Sequence, residues 1–517
     1  MRTFVALVGL LMVAMSVQAQ APRSNETIPY IYYFSLEEQA LIIERADGGD
    51  RHLIAQDAVP PLDNWYFFRN VDWSPSGQWV SWELSAFNAY GGFQAQVGWV
   101  THVDGTQPAK PFSEKVTTLT HLEWSPVADL LLVQQFNWGD SIIDAFVYDP
   151  MKQETIVSAR VRIPATESWG SAENDVGWAN DGSYVFFWGA GITKLYLDGR
   201  SDTYFVTDYW DVFSYDNGIV VSSTWGGRRQ INNGQLVVLT DLRQSKEFVL
   251  DTFEWNNQPT YEFFWQPGGY KGLFSRTTCQ NEHCATQWQL IDLITEQTHA
   301  ISSLYMPADT TQAPPSPRFN GNLWSEDGRY FLMMDTNRAP VIFDTYNMLF
   351  RRISAPPLTA WEWKENILLL PVGNQLKIID PSAQVMDMYP SSQGSLYSFP
   401  EVSPDGRFFH VWNDQVVLLN LQTNEQQTWL PHSGNTVGGS VTGVNWSSDS
   451  QWFFSGGNVQ TVDSCCLAAY QMIHQVGTPE RRELGVCLTV ETCTGFLPDR
   501  VLPHLGEATP DEQPDDD

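Results

Sequence analysis

The chain has 517 residues with 29 Lys and Arg against 60 Asp and Glu, a formal charge of −31. A field of that sign repels phosphate backbones and anionic lipid surfaces, which excludes nucleic acid as a natural partner and favours cations or basic surfaces. Hydrophobic residues at 43%, 22 Trp and frequent Gly and Pro exclude a disordered chain and fit one built from strands and turns.

Residues 1–19 read as a cleavable secretory signal: Arg2, an apolar run from Phe4 to Met15, then the small-residue pattern Val17-Gln18-Ala19. No later apolar stretch is long enough to span a bilayer, so the expected location is extracellular or in the cell envelope, as a soluble monomer without a membrane span. Next come IPYIYYFS, ALIIERADGG and DRHLIAQ, which read as the second to fourth strands of a unit lacking its first. A C-terminal segment is expected to supply the missing strand.

From Val71 onward one pattern recurs: an apolar or aromatic residue, usually Trp, then Ser or a small substitute, a turn, and an apolar run. The copies are VDWSPSGQWVSW from Val71, LEWSPVADLLLV from Leu122, VGWANDGSYVFFW from Val176, FFWQPGGYKGLF from Phe263, NLWSEDGRYFLMM from Asn322, EVSPDGRFFHVW from Glu401 and VNWSSDSQWFF from Val444, with weaker ones from Val212 and Trp361. Between Trp73 and Trp446 the spacing averages about 47 residues, the length of one small sheet in a repeat protein. Within a unit, Tyr330 to Met334, Pro340 to Phe343 and Leu349 to Ile353 read as successive strands. Asp47-Gly48, Asp104-Gly105 and Asp198-Gly199 mark tight hairpins, where residues tolerant of positive φ are needed.

The predicted fold is therefore all-β: a β-propeller of four-stranded antiparallel blades over residues 30–495, with about 8 to 10 repeat units. A single ring is favoured over two because no low-complexity linker divides the chain. Residues 496–517, ending in GEATPDEQPDDD, are expected to form an acidic disordered tail. In Ser403-Pro404-Asp405-Gly406, Pro presets φ, Asp bonds nearby backbone and Gly takes the left-handed position, so the motif is expected to be a corner and its aromatic a wedge between blades.

Trp-Ser-Pro-Asp-Gly followed by an apolar run resembles the TolB-like, WD40-type propeller repeat of exported bacterial proteins, from about Tyr30 to about Cys493. The resemblance implies a propeller that binds partners or carries an enzyme domain. No attached hydrolase domain is expected, because only about 70 residues follow Trp446, too few for an α/β domain.

Catalytic signatures are missing: no nucleophile elbow, P-loop, dinucleotide fingerprint or H-E-x-x-H helix, and the nine His are scattered. No cofactor is expected, and no catalytic or metal-ligating residue is assigned. Six Cys in an exported chain point to disulfides. Cys279 and Cys284 should close their own hairpin. Cys465, Cys466, Cys487 and Cys493 should bridge across the last unit with the pairing open, zinc held by the four thiolates being the alternative. The residue before the motif aromatic, or its equivalent, is acidic at Asp72, Glu123, Glu362 and Glu401. If these first strands line the axis, as the resemblance implies, the four carboxylates ring one channel mouth and can hold a basic group or a divalent cation such as calcium. The function expected is a non-catalytic binding scaffold for a protein, peptide or glycan. Its rival is a polysaccharide-degrading enzyme, a glycoside hydrolase or lyase, with carboxylates at that mouth.

Overall fold

The computed structural model describes most of the chain between residues 28 and 506. Residues 1–27, 507–517 and a set of connections, the longest being 163–175, 225–233, 302–322 and 391–400, lie outside the described residues. The expected signal peptide falls outside them. So do Cys465, Cys466, Cys487 and Cys493.

The described residues form ten antiparallel sheets, nine of four strands and one of three. The first is made of Tyr30–Ser35, Ala40–Arg45 and His52–Gln56, and its fourth strand is Thr494–Phe496, which pairs with Tyr30–Ser35 from the other end of the chain. The missing strand of the N-terminal unit is thus supplied by the C-terminal segment. The second to tenth sheets follow in chain order over 65–111, 118–162, 176–204, 209–254, 260–301, 324–352, 362–390, 401–429 and 436–486, each an up-and-down meander. In the seventh, the place of the first strand is marked by a single bridge between Trp324 and Phe331.

Ser-x-Asp-Gly chemistry explains the turns. In the ninth sheet the Ser403 hydroxyl accepts from Phe408 N–H at 2.9 Å and donates to Asp405 Oδ1 at 2.7 Å, while Asp405 Oδ1 accepts from Arg407 N–H at 3.0 Å. Gly406 N–H donates to Ser403 O at 2.8 Å, and Gly406 sits at φ 68°, where a side chain is strained. The same bonds recur at Ser325 with Asp327 and Gly328, and in part at Ser74 and Ser447. The motif serines are buried and spent on their own turn, so the motif is a corner.

The tryptophans fasten the sheets. Trp73, Trp124, Trp178, Trp265 and Trp324 are buried. Trp124 Nε1 donates to Asp72 O at 3.3 Å, Trp178 to Glu123 O at 3.1 Å, Trp324 to Phe264 O at 3.1 Å and Trp363 to Leu323 O at 3.2 Å. In each case the acceptor is the carbonyl just before the motif aromatic of the preceding sheet. A ring that fills a gap with its apolar body and satisfies its one polar atom on the neighbour fixes both spacing and register.

Most consecutive sheets pack face to face through apolar clusters, for example the second on the third through Trp79, Leu122, Trp124, Leu131 and Val133, and the sixth on the seventh through Leu273, Trp324, Phe331 and Phe343. Being covered on both faces, middle strands such as Pro340–Asp344 are buried along their whole length. The tenth sheet packs on the first through Phe454, Ile473 and Leu484 against Ile31, Tyr33 and Ile42, with Arg482 bonded to the buried Glu44.

The expected tail needs correction at its start. Phe496 belongs to the strand that completes the first sheet, and a short 3-10 helix, Asp499–His504, follows. Leu497 and Val501 are buried in the cluster shared by the first and second sheets, and Arg500 donates to Ser74 O and Trp73 O, each at 3.1 Å. Leu497 and Val501 give this stretch a core to join, whereas the composition of 506–517 is acidic.

Candidate functional site

The position before the motif aromatic has one structural duty, which its backbone carries. Because the carbonyl receives the next sheet's indole, the side chain is left free to vary. Asp72, Glu123, Phe264 and Leu323 all serve as acceptors. Acidity there is consequently not a requirement of the fold.

Of the four predicted acids, the structure brings Asp72 and Glu123 together. They stand at the ends of the first strands of the second and third sheets, Trp65–Trp73 and Thr118–Trp124. Asp72 is exposed yet hemmed in by protein, and desolvation lifts its carboxyl above the usual range, against the Trp73 amide and the charge of Arg500. Glu123 is also raised, chiefly by desolvation, against the charges of His121 and Arg243 and a hydrogen bond from the Trp178 backbone of the fourth sheet, with the charge of Asp72 adding least. Tyr32, packed edge-on against Trp73, is pushed up to about 12 by burial and by Asp72. Two partly dehydrated carboxylates on neighbouring sheets are candidates for receiving a positively charged group. Glu362 and Glu401 occupy the same strand position on the eighth and ninth sheets, also consecutive, and their side chains lie outside the described part of the structure.

The boundary behind Asp72 is one of several that carry buried polar groups, others holding Lys194 in the fourth sheet, Ser275 opposite Glu262 in the sixth, and Ser455 with His474 in the tenth. Opposite the position before the motif aromatic, the second strand carries Leu132, Phe186, Leu273, Leu369 and Phe454 in the third, fourth, sixth, eighth and tenth sheets, and His410 in the ninth. In the second sheet it carries Ser81, 0% exposed and without a hydrogen-bond partner for its hydroxyl. Two residues on along the same face is Glu83, 1% exposed. Its carboxylate accepts from Asn70 Nδ2 at 2.9 Å, Gln96 Nε2 at 2.5 Å and Leu122 N–H at 2.9 Å, and His121 Nδ1 lies 3.1 Å from Oε1. A buried carboxylate persists only with such a set of donors. Since an ionised carboxylate can only accept from the ring, Nδ1 carries a proton in this contact.

Glu83 and the role of His121 were missed in the sequence, although a signal existed. In Val80-Ser81-Trp82-Glu83-Leu84-Ser85 the polar residues alternate onto one face of a strand that a stacked-sheet fold covers on both sides. A polar face there is out of place, and it marks the boundary with the third sheet.

Among the described residues no three or more His, Cys, Asp or Glu side chains are grouped so as to hold a metal ion. Cys279 and Cys284 face each other directly in the register of Lys271–Gln280 with His283–Asp292. Among the described residues no helix is long and apolar enough to cross a membrane. No protein-family model matches the chain, and no curated protein matches its sequence.

Proposed function

We propose that the protein is an exported single-ring β-propeller that acts as a binding scaffold, and that it takes a cationic group of a peptide or protein partner in the recess between Asp72 and Glu123. The ring reading is supported by ten sheets stacked in chain order, with the tenth packed on the first and the first completed from the C-terminus. In that ring the first strands line the axis and the acid pair sits at a channel mouth. Export agrees with residues 1–19 and with a bridge between Cys279, a disulfide-bonded residue, and the facing Cys284.

One observation carries the functional reading: two carboxylates on neighbouring sheets, at a position whose side chain the fold does not constrain, are both held above their usual range by dehydration and, for Glu123, by the other's charge. Their ionised forms cost stability, and a bound cation removes that cost. A basic side chain fits better than a divalent ion, which wants six or more oxygens. The test is a screen of the purified chain against basic, neutral and acidic peptides and neutral glycans, with product analysis on the same samples. Retention of basic peptides with no products is expected. Turnover of a polysaccharide, or equal retention of acidic peptides, would overturn the reading.

A further inference from the structure

We infer that the joint between the second and third sheets binds ordered water, one molecule on the hydroxyl of Ser81 and one on that of Ser85, at either side of the Glu83 carboxylate. Ser81, Glu83 and Ser85 follow one another at every second position of Trp79–Phe87, so they share with Trp79 the face turned to the third sheet. Ser81 is 0% exposed and Ser85 1%, and neither hydroxyl has a hydrogen-bond partner among the described residues. A buried hydroxyl left alone costs stability, and ordered water answers it where the protein does not.

The frame leaves room for water at Ser81. Its place in the second strand, opposite the position before the motif aromatic, holds Leu132, Phe186, Leu273, Leu369 and Phe454 in the third, fourth, sixth, eighth and tenth sheets. The second and third sheets do not close over the smaller side chain. Trp124 Nε1 donates to Asp72 O at 3.3 Å and holds the spacing, as Trp178 and Trp324 do at joints that carry Leu132 and Leu273. Serine thus leaves the space that the rest of a leucine or phenylalanine fills elsewhere, and a water molecule fits it. Across the ladder from Ser85 stands Gln96, followed two residues on by Gly98, which adds no side chain.

The lining selects water over an ion. Glu83 has both oxygens engaged: Oε1 accepts from Leu122 N–H at 2.9 Å and faces His121 Nδ1 at 3.1 Å, while Oε2 accepts from Asn70 Nδ2 at 2.9 Å and Gln96 Nε2 at 2.5 Å. Its lone pairs are taken, so it has none for a cation, and its charge repels an anion. What remains on each side is a hydroxyl that both donates and accepts, which calls for a molecule that does the same. Residues directly opposite in a ladder have Cβ atoms about 5 Å apart, a span that one water bridges. The second partner is the Asp72 carboxylate for the water on Ser81 and the Gln96 amide for the water on Ser85. Asp72 is exposed and gives the first water a route to solvent, whereas Gln96 is buried and encloses the second. Both sites stand whether or not Asp72 receives a partner.

The experiment is a crystal structure of the full chain fine enough to show ordered solvent, grown with sodium and again with rubidium, together with melting curves of the wild type, Ser81→Ala and Ser85→Ala. A peak about 2.6–3.2 Å from each hydroxyl, unchanged by rubidium, is expected. Each alanine variant takes one partner from its water and should melt about 1–2 °C below the wild type. The sign separates the alternatives, because a hydroxyl with no partner is better removed, and its variant would melt at the same temperature or higher. A variant that melts no lower than the wild type, a hydroxyl with no peak beside it, or a peak that rubidium replaces overturns the inference at that serine. If a variant does not fold, the wild-type crystal structure decides by itself.

Discussion

The boundary between the second and third sheets and the boundary between the sixth and seventh share one frame and carry different chemistry. Both are fastened by an indole that donates to the preceding sheet, Trp124 to Asp72 O and Trp324 to Phe264 O. At the sixth and seventh sheets the surrounding positions are Phe264, Leu273 and Leu323, apolar but for Glu262 and the buried Ser275 that donates to it at 3.4 Å. At the second and third they are Asp72 and Ser81, backed by Glu83, Gln96 and His121, while Glu123 stands on the face toward the fourth sheet, opposite Leu132. The difference teaches where the fold leaves freedom. Backbone and indole fix the joint, so the side chains around it are available for another use, and the two joints differ in extent: one holds a single Glu262–Ser275 contact, the other a buried carboxylate with four polar partners.

The comparison can be broken first at the more apolar joint. Trp324→Ala removes a fully buried ring and its bond to Phe264, and should cost about 3–5 kcal/mol in denaturant unfolding while leaving binding of a basic peptide unchanged. At the polar joint, Glu83→Ala leaves the donors of Asn70, Gln96 and Leu122 unanswered. A loss of about 2–3 kcal/mol is expected by the same measurement, smaller because less apolar area goes with it, but here binding should change as well.

Further predictions sharpen the frame common to both. Asp344, buried at a turn of the seventh sheet, has its carboxyl held down to about 2: Arg329, Asn347 and the amides of Asn347 and Tyr346 outweigh the opposing effect of burial. A depressed folded value means its contribution is present above the unfolded value of about 4 and is lost as pH falls toward about 2. Acid titration of stability should therefore be less steep for Asp344→Asn between about pH 4 and 2, with a cost of about 1–3 kcal/mol at neutral pH. Gly406→Ala places a side chain at φ 68° and should cost about 1 kcal/mol by thermal melting.

Much of the frame was legible in the residues. The repeat around Trp73, Trp124 and Trp324 located the strands and turns, because a corner that needs Ser, Asp and Gly at fixed places leaves a strong local mark. The absent first strand of the N-terminal unit pointed to closure by the C-terminus, and Thr494–Phe496 supplies it. The tail boundary was misplaced because Leu497 and Val501 have no periodicity of their own and are buried only by a core far away in sequence. Asp72 and Glu123 were legible as candidates since they break the apolar pattern at a recurring position. Glu83 was not, because its meaning depends on which neighbour covers its face, and that is a tertiary fact.

The smallest expected change in stability accompanies the largest expected change in binding. Folded values of Asp72 and Glu123 lie above the ordinary ones, so their ionisation costs stability once pH exceeds the unfolded values of about 4 to 4.5, and the cost disappears below them. The double variant Asp72→Asn, Glu123→Gln should consequently melt at the same temperature as the wild type or higher at pH 7. Titration calorimetry of trilysine into the wild type and this variant, at pH 7 and low salt, tests the central claim most directly. The account predicts at least a ten-fold loss of affinity, about 1.4 kcal/mol, with no loss of melting temperature. Equal affinity in a variant that melts no lower than the wild type would contradict it.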